Sequence, residues 1–252
     1  MRKLFILTLA VVLVFGMSAV GMAQTGETEA IVDQDGLNNS GYINQNDTSN
    51  TEDKNESNEV YLKQLGNNNW ANIEQMGDTA EADVRQLNAN NSGVALSQGP
   101  SWNHNATVRQ EFTNNALVSI DQQEGTAEIY QYDEDNSSVF VNQTSKGTNL
   151  SEGWESDFVR VNQESGSNND VFINQDSDLT SEEEGTKRSE AYVTQEFSTN
   201  SVASINQSGR AHTASIYQNG DNNSASILQS NENNTADVDQ NGNGNSTVVV
   251  QE

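Results

Sequence analysis

Apolar and polar positions alternate along almost the whole chain. In Ala71-Asn72-Ile73-Glu74-Gln75 every second residue is Ala, Ile and Gln, and Ala225-Ser226-Ile227-Leu228-Gln229 repeats the arrangement. Segments of the form Ala/Val-x-Ile/Val/Leu-x-Gln recur 18 times. Two places before each of these glutamines stands Val, Ile or Leu without exception; four places before stands Ala or Val, except at Gly41 and Thr247. Six places before, Asn or Ser fills eleven of the 18 positions. A period of two marks a strand with one buried face. Asn, Ala, Ile and Gln then point inward, while Asp, Glu, Asn, Ser, Arg and Tyr between them face water. Pieces such as Asn219-Gly220-Asp221-Asn222-Asn223 follow the glutamines and supply the positive φ values that tight turns need. The pattern predicts short strands, each followed by a turn.

The lattice glutamines are Gln34, Gln45, Gln64, Gln75, Gln86, Gln98, Gln110, Gln122, Gln131, Gln143, Gln163, Gln175, Gln195, Gln207, Gln218, Gln229, Gln240 and Gln251, which leaves only two of the chain's 20 glutamines outside the register. From each odd-numbered strand to the next even one the spacing is 11 or 12 residues; from even to odd it is 19, 11, 12, 9, 20, 20, 11 and 11. The constant step reads as the turn inside one coil and the variable step as the connection between coils. Residues 28–252 therefore form nine strand-turn-strand coils, with insertion loops near 46–57, 144–156 and 176–188 on one edge. The predicted fold is all-β, a two-sheet parallel β-solenoid about 43 Å long at the usual strand spacing.

In such a stack every inward amide sits above another. The expected structural amide ladder comprises the 18 lattice glutamines together with Asn39, Asn58, Asn69, Asn169, Asn223, Asn234 and Asn245, and amides suit the interior because each supplies both a donor and an acceptor. The expected turn glycines are Gly36, Gly66, Gly77, Gly209, Gly220 and Gly242.

Composition narrows the class. Only 33% of residues are hydrophobic and 6% aromatic, a poor supply for an ordinary globular core. A repeat fold with a thin core resolves this; a disordered chain leaves the register unexplained. The net charge of −26 argues against a nucleic-acid partner, and the lack of cysteine removes disulfides and thiolate chemistry. Residues 1–23, with Arg2 and Lys3 before an apolar run and Ala23 before Gln24, read as a secretory signal peptide. Its removal takes two bases and leaves −28. Residues 24–27 form a short N-terminal segment, and no later stretch is apolar enough to span a membrane.

The motif Gln-x-Gly-x-x-Asn-x-Ala-x-x-x-Gln resembles the curlin repeat of curli amyloid subunits. Gln64, Gly66, Asn69, Ala71 and Gln75 match it fully, as do Gln218, Gly220, Asn223, Ala225 and Gln229. Gln34 to Gln45 matches with Gly41 in the Ala place, and Gln229 to Gln240 with Asn231 in the Gly place. Weaker copies cover nearly all of 28–252. The resemblance implies a bacterial subunit that polymerises outside the cell into biofilm fibres, partnered by itself, by a nucleating curlin subunit and by a curli-type export and chaperone system. Curli subunits carry an export-targeting segment between signal peptide and repeats, whereas only Gln24 to Glu27 stand there in this chain.

Other candidate chemistry is sparse. His104 and His212, the only histidines, both occupy the place six before a lattice glutamine, where imidazole substitutes for an amide. No catalytic triad signature, EF-hand loop or calcium-binding nonapeptide is present, so no catalytic residue, cofactor or metal is expected. Acid runs such as Glu182-Glu183-Glu184 read as solvated loop. Lys63, Arg85 and Arg109 should line up on successive odd strands beside acids such as Asp83, and Phe140 and Phe172 on successive even ones. The final repeat stops one residue after Gln251, so both ends of the stack are expected to lack caps and to accept another copy. The competing reading is a monomeric secreted solenoid binding ice or polysaccharide on a flat sheet, which would want a regular outward array such as Thr-x-Thr in every coil.

Overall fold

The computed structural model describes residues 18–24, 28–46, 58–123, 125–145, 157–177 and 188–252. Most of each expected insertion loop, and the first 17 residues of the expected signal peptide, lie outside the described residues.

Among the described residues the regular structure is all strand. In chain order the strands are β1 (Ser18–Gln24), β2 (Glu29–Asp35), β3 (Ser40–Asn46), β4 (Glu59–Asn67), β5 (Trp70–Asn90) and β6 (Gly93–Glu111). Then follow β7 (Leu117–Gln122), β8 (Gly125–Asp135), β9 (Ser138–Ser145), β10 (Phe158–Ser167), β11 (Asp170–Ser177) and β12 (Glu190–Glu196). The last five are β13 (Val202–Arg210), β14 (Thr213–Asn219), β15 (Ser224–Glu232), β16 (Thr235–Asn241) and β17 (Ser246–Gln251). Each of β5 and β6 carries two lattice glutamines, because the corner after Gln75 stacks on the corner after Gln98 and keeps its pairing, Gly77 on Ser101 and Ala80 on His104.

All pairing is parallel and runs between coils. One sheet aligns Gln34, Gln64, Gln86, Gln110, Gln131, Gln163, Gln195, Gln218 and Gln240 as successive Cα partners. The other aligns Gln45, Gln75, Gln98, Gln122, Gln143, Gln175, Gln207, Gln229 and Gln251. These are the odd and even sets read from the spacings, so nine coils stack into a two-sheet parallel β-solenoid. The Ala/Val and Ile/Val/Leu columns of both sheets meet in one continuous core. Each strand segment ending in a lattice glutamine is only a few residues wide, so the core survives on a low hydrophobic content. Each coil buries its small apolar set against identical sets above and below.

The ends of the stack differ from its middle. Val32 in β2 is 39% exposed, whereas its Cα partner Leu62 in the next coil is fully buried. At the other end Val249 is only partly buried. The terminal part of the expected signal peptide also joins the stack: β1 lies parallel to β3, Ala19 beside Gly41 and Ala23 beside Gln45.

Candidate functional site

The inward glutamines form two hydrogen-bonded columns with one direction. In the first, Gln64 Nε2 donates to Gln86 Oε1 at 2.7 Å, and Gln86 to Gln110, Gln110 to Gln131, Gln131 to Gln163, Gln163 to Gln195 and Gln195 to Gln218 follow at 2.8 Å. Gln34 likewise donates to Gln64, and Gln218 to Gln240 at 2.9 Å. The second column runs the same way from Gln45 to Gln251, with donor–acceptor distances of 2.7 to 3.3 Å. Each Nε2 carries two protons. In most coils the second proton crosses to a backbone carbonyl of the facing strand: Gln207 to Glu190 O at 3.0 Å, Gln218 to Val202 O at 3.1 Å, Gln240 to Ser224 O at 3.0 Å. One amide therefore ties coil to coil and sheet to sheet.

A ladder with direction has unlike ends. Gln34 Oε1, in the first coil, is buried without a partner. In the last coil Gln240 Nε2 turns to Thr247 Oγ1 at 3.1 Å in place of a further glutamine, while Gln251 Nε2 keeps its cross-sheet bond to Thr235 O at 3.0 Å. One end presents acceptors and the other presents donors.

The asparagine column bonds differently. Asn39 Oδ1 accepts from the backbone N–H of Asn69 at 3.1 Å, Asn69 Oδ1 from Ser92 N–H at 3.1 Å, and Asn223 Oδ1 from Asn245 N–H at 3.0 Å. The Nδ2 groups donate to turn carbonyls, as in Asn69 to Ala89 O at 2.8 Å and Asn223 to Gly242 O at 2.8 Å. Serine serves as acceptor equally well: Ser137 Oγ takes Asn169 N–H, and Ser201 Oγ takes Asn223 N–H. Asn58 Oδ1 accepts from Ala80 N–H at 2.9 Å, and Asn234 Nδ2 donates to Ser230 O at 2.6 Å. These side chains thus hold backbone corners; inward side-chain amides bonded to one another are the glutamine arrangement. His212 fits the same place as an amide analogue. Its Nδ1 accepts from Asn234 N–H at 3.4 Å and its Nε2 lies 3.1 Å from Ser208 O, which assigns the proton to Nε2. His104 is likewise buried.

The turns from the first sheet to the second carry a regularity that the glutamine lattice does not reveal. Seven places before each even glutamine stands Asn38, Asn68, Asn91, Asn115, Asn136, Asn168, Asn200 or Asn222, and all eight have φ between 52° and 58°. Gly244, φ 73°, completes the nine. Asparagine tolerates this left-handed conformation better than other non-glycine residues. The signal was available in the sequence as an Asn column through eight of the nine coils, stronger than the mixed column beside it. Gly36, Gly66, Gly209, Gly220 and Gly242 all have positive φ near or above 97°, and Gly77 sits at a break in register between Gln75 and Gly77.

Turns one residue longer place an additional side chain inward, and in one coil it is Glu134. Its carboxylate is fully buried, taking Ser137 Oγ at 2.6 Å and Asn169 Nδ2 at 3.3 Å on Oε2. Burial pushes its pKa up to about 7, although hydrogen bonds from Ser137, Asn169 and the Gly166 backbone pull the other way. The folded chain therefore holds this proton more tightly than the unfolded chain. Stability should fall as pH rises from about 4.5 towards about 7, by up to roughly 3 kcal/mol. Glu134→Gln removes that slope. Denaturant midpoints at pH 5 and pH 8 should diverge between the two proteins, with the variant the more stable at pH 8; parallel pH profiles would show that Glu134 does not titrate in this window.

The outward bases stack as expected, Lys63 beside Arg85 and Arg85 beside Arg109. Each has an acid of its own: Lys63 with Asp33 at 2.9 Å, Arg85 with Asp83 at 2.6 Å and Arg109 with Glu111 at 2.6 Å. The column is neutralised locally and offers no free cationic stripe. Among the described residues no cluster of His, Asp and Glu is placed to hold a metal ion, and no helix is long and apolar enough to cross a membrane.

Residues 199–230 match the family model described as curlin associated repeat. A comparison with curated proteins finds no match. The chain carries a curlin-type repeat at these residues, and the glutamine register there, Gln207, Gln218 and Gln229, continues through the other coils.

Proposed function

We propose that this chain is a secreted structural subunit that polymerises head-to-tail into extracellular curli-like amyloid fibres on the bacterial cell surface, serving matrix and adhesion. The observation that carries this reading is the unfinished ladder. Gln34 Oε1 is buried with no donor, while Gln240 and Gln251 have amide protons and no glutamine to receive them. A second copy placed on the last coil in register supplies acceptors to donors, covers Val238 with Val32 and Val249 with Ile43, and continues both backbone ladders. A contact that repeats without closing gives a filament. On this reading the partners are further copies, a nucleating curlin subunit and a curli-type export and chaperone system. Cleavage after Ala23 removes all of β1 except Gln24 and frees the edge of β3. The work is mechanical and needs no catalytic group.

Mature protein released from denaturant should form unbranched, dye-binding fibres with cross-β spacings of about 4.7–4.8 and 10 Å. A folded species that stays monomeric at high concentration refutes the proposal. Gly242 gives a sharper version. In the inner coils the matching position is hemmed in: a Cβ on Gly220 would lie 2.5 Å from Gly242 O. A Cβ on Gly242 itself meets nothing closer than 4.0 Å. Gly242→Ala should therefore cost the isolated chain only the strain of its φ of 97°, roughly 1–3 kcal/mol, yet obstruct the arrival of the next copy. Seeded growth should slow at least tenfold while circular dichroism of the monomer is retained. Equal growth rates would place the growing contact elsewhere.

A further inference from the structure

The two sheets present very different outer surfaces. Consider the outward positions one, three and five before each lattice glutamine, 27 on each sheet. On the first sheet 13 of them are charged, and four of the 13 are Lys or Arg. On the second sheet three are charged, Glu74, Asp121 and Asp170, and none is basic. Exposed large apolar side chains lean the opposite way, with Ile31 on the first sheet. Tyr42, Trp70, Phe140, Phe172, Leu228 and Val248 all stand on the second sheet. At its centre, in the fifth and sixth coils, the rings of Phe140 and Phe172 stack with centroids 5.4 Å apart and planes 5° from parallel. Beside them Asn142, Asn174 and Asn206 form an exposed amide ladder at 2.9 and 3.1 Å.

We infer that this uncharged outer face of the second sheet is a docking surface for the same face of a second stack, so that the fibre is a pair of solenoids packed sheet to sheet. The inference rests on the polymer reading above. Two arguments select a second copy as the occupant. The first is charge. A chain of net charge −26 repels its own kind, and only this sheet can approach a copy of itself without setting rows of acid against acid. The second is area. Nine strands at about 4.8 Å, each about 20 Å across its outward residues, give a flat face of roughly 850 Å², close to the roughly 800 Å² per partner of a standard stable interface. The Phe140–Phe172 pair lies at its middle, where aromatic anchors contribute most to an interface.

The measurement is mass per length of fibres by dark-field electron microscopy, for the wild type, for F140E/F172E and for F140S/F172S. Serine already occupies the same row in the flanking coils at Ser119 and Ser204, so the second variant carries no folding penalty of its own. Wild-type fibres should have twice the mass per length of a single stack. Both variants should fall by half while keeping the 4.7–4.8 Å repeat. Wild-type fibres with the mass of one stack, or variants that stay paired, overturn the inference and leave the polymer reading standing. Single stacks that bind insoluble cellulose through the phenylalanines would assign the face to a sugar ligand and overturn pairing as well. Absence of fibres from the wild type defeats the polymer reading itself, and pairing of stacks with it.

Discussion

Gly66→Ala should unfold or prevent assembly of the protein, whereas Gly244→Asn should leave it intact. At Gly66 φ is 126°, a region closed to residues with a side chain, and a Cβ there would lie 2.0 Å from the carbonyl oxygen of Ala89 in the next coil. That oxygen already accepts from Asn69 Nδ2 at 2.8 Å, so it cannot retreat without breaking the corner. The backbone must either twist out of its conformation or push two coils apart against ladders on both sides. Strain of roughly 1–3 kcal/mol plus a backbone clash brings the cost to about 4 kcal/mol, a large share of a domain's net stability. At Gly244 φ is 73° and nothing lies within 4 Å of the added atom. The other eight coils hold asparagine in that place at similar φ. Guanidinium midpoints of both variants, measured on monomer and fibre, decide it; equal losses would mean that the turn conformation, and not the close approach of coils, makes glycine necessary.

The contrast marks where the sequence speaks and where it falls silent. The two-residue period and the spacing of the glutamines were enough to derive two parallel sheets and nine coils. A parallel stack has only one register that keeps every Gln on a Gln and every Ile on an aliphatic residue. Corners obey a different rule. Gly66 and Asn68 are needed for the backbone, and they are two and four residues past a glutamine. In the longer turns the second residue past the glutamine becomes Asn88, Phe112, Asp133, Ser165 or Phe197, all at positive φ. A glycine motif cannot find those turns, because any residue held firmly enough on both sides can occupy the position. Glu134 was hidden for the same reason: it is one place past such a residue, where the chain turns inward, and nothing in a run of polar letters distinguishes a buried acid from its solvated neighbour Asp133. The direction of the amide columns was likewise invisible, since a letter does not say which neighbour receives the proton. Nor does an alternating pattern reveal that one sheet's outward letters collect the charge and leave the other's almost uncharged. That division appears only once the odd and even strands are separated.

The glutamine column has its own expected result. Gln195→Ala should lower stability by about 2–4 kcal/mol, while Thr194→Ala, the adjacent residue on the outer face, should shift it by less than about 0.5 kcal/mol. Gln195 is fully buried, accepts from Gln163 at 2.8 Å and donates to Gln218 at 2.8 Å. Truncation leaves Gln163 with its bond to Asn169 O at 3.2 Å but strips Gln218 Oε1 of the donor in the column. It also opens a void, so the two causes must be separated. Gln195→Met refills the space with an unbranched side chain and restores no hydrogen bond. If the amide is what matters, methionine remains destabilising by roughly 1–3 kcal/mol, because a buried acceptor without a donor carries the desolvation cost regardless of packing. If methionine recovers wild-type stability, the column is a row of space-filling side chains and its hydrogen bonds are incidental. The fibre makes the test more severe. In a single folded chain the last amide of each column still reaches a local oxygen, as Gln240 does through Thr247 and Gln251 through Thr235. In a continuous stack no such exit exists, and a break in one column is repeated once per subunit along the whole length. The difference between wild type and Gln195→Met should therefore be larger in the denaturant that dissolves fibres than in the denaturant that unfolds monomer.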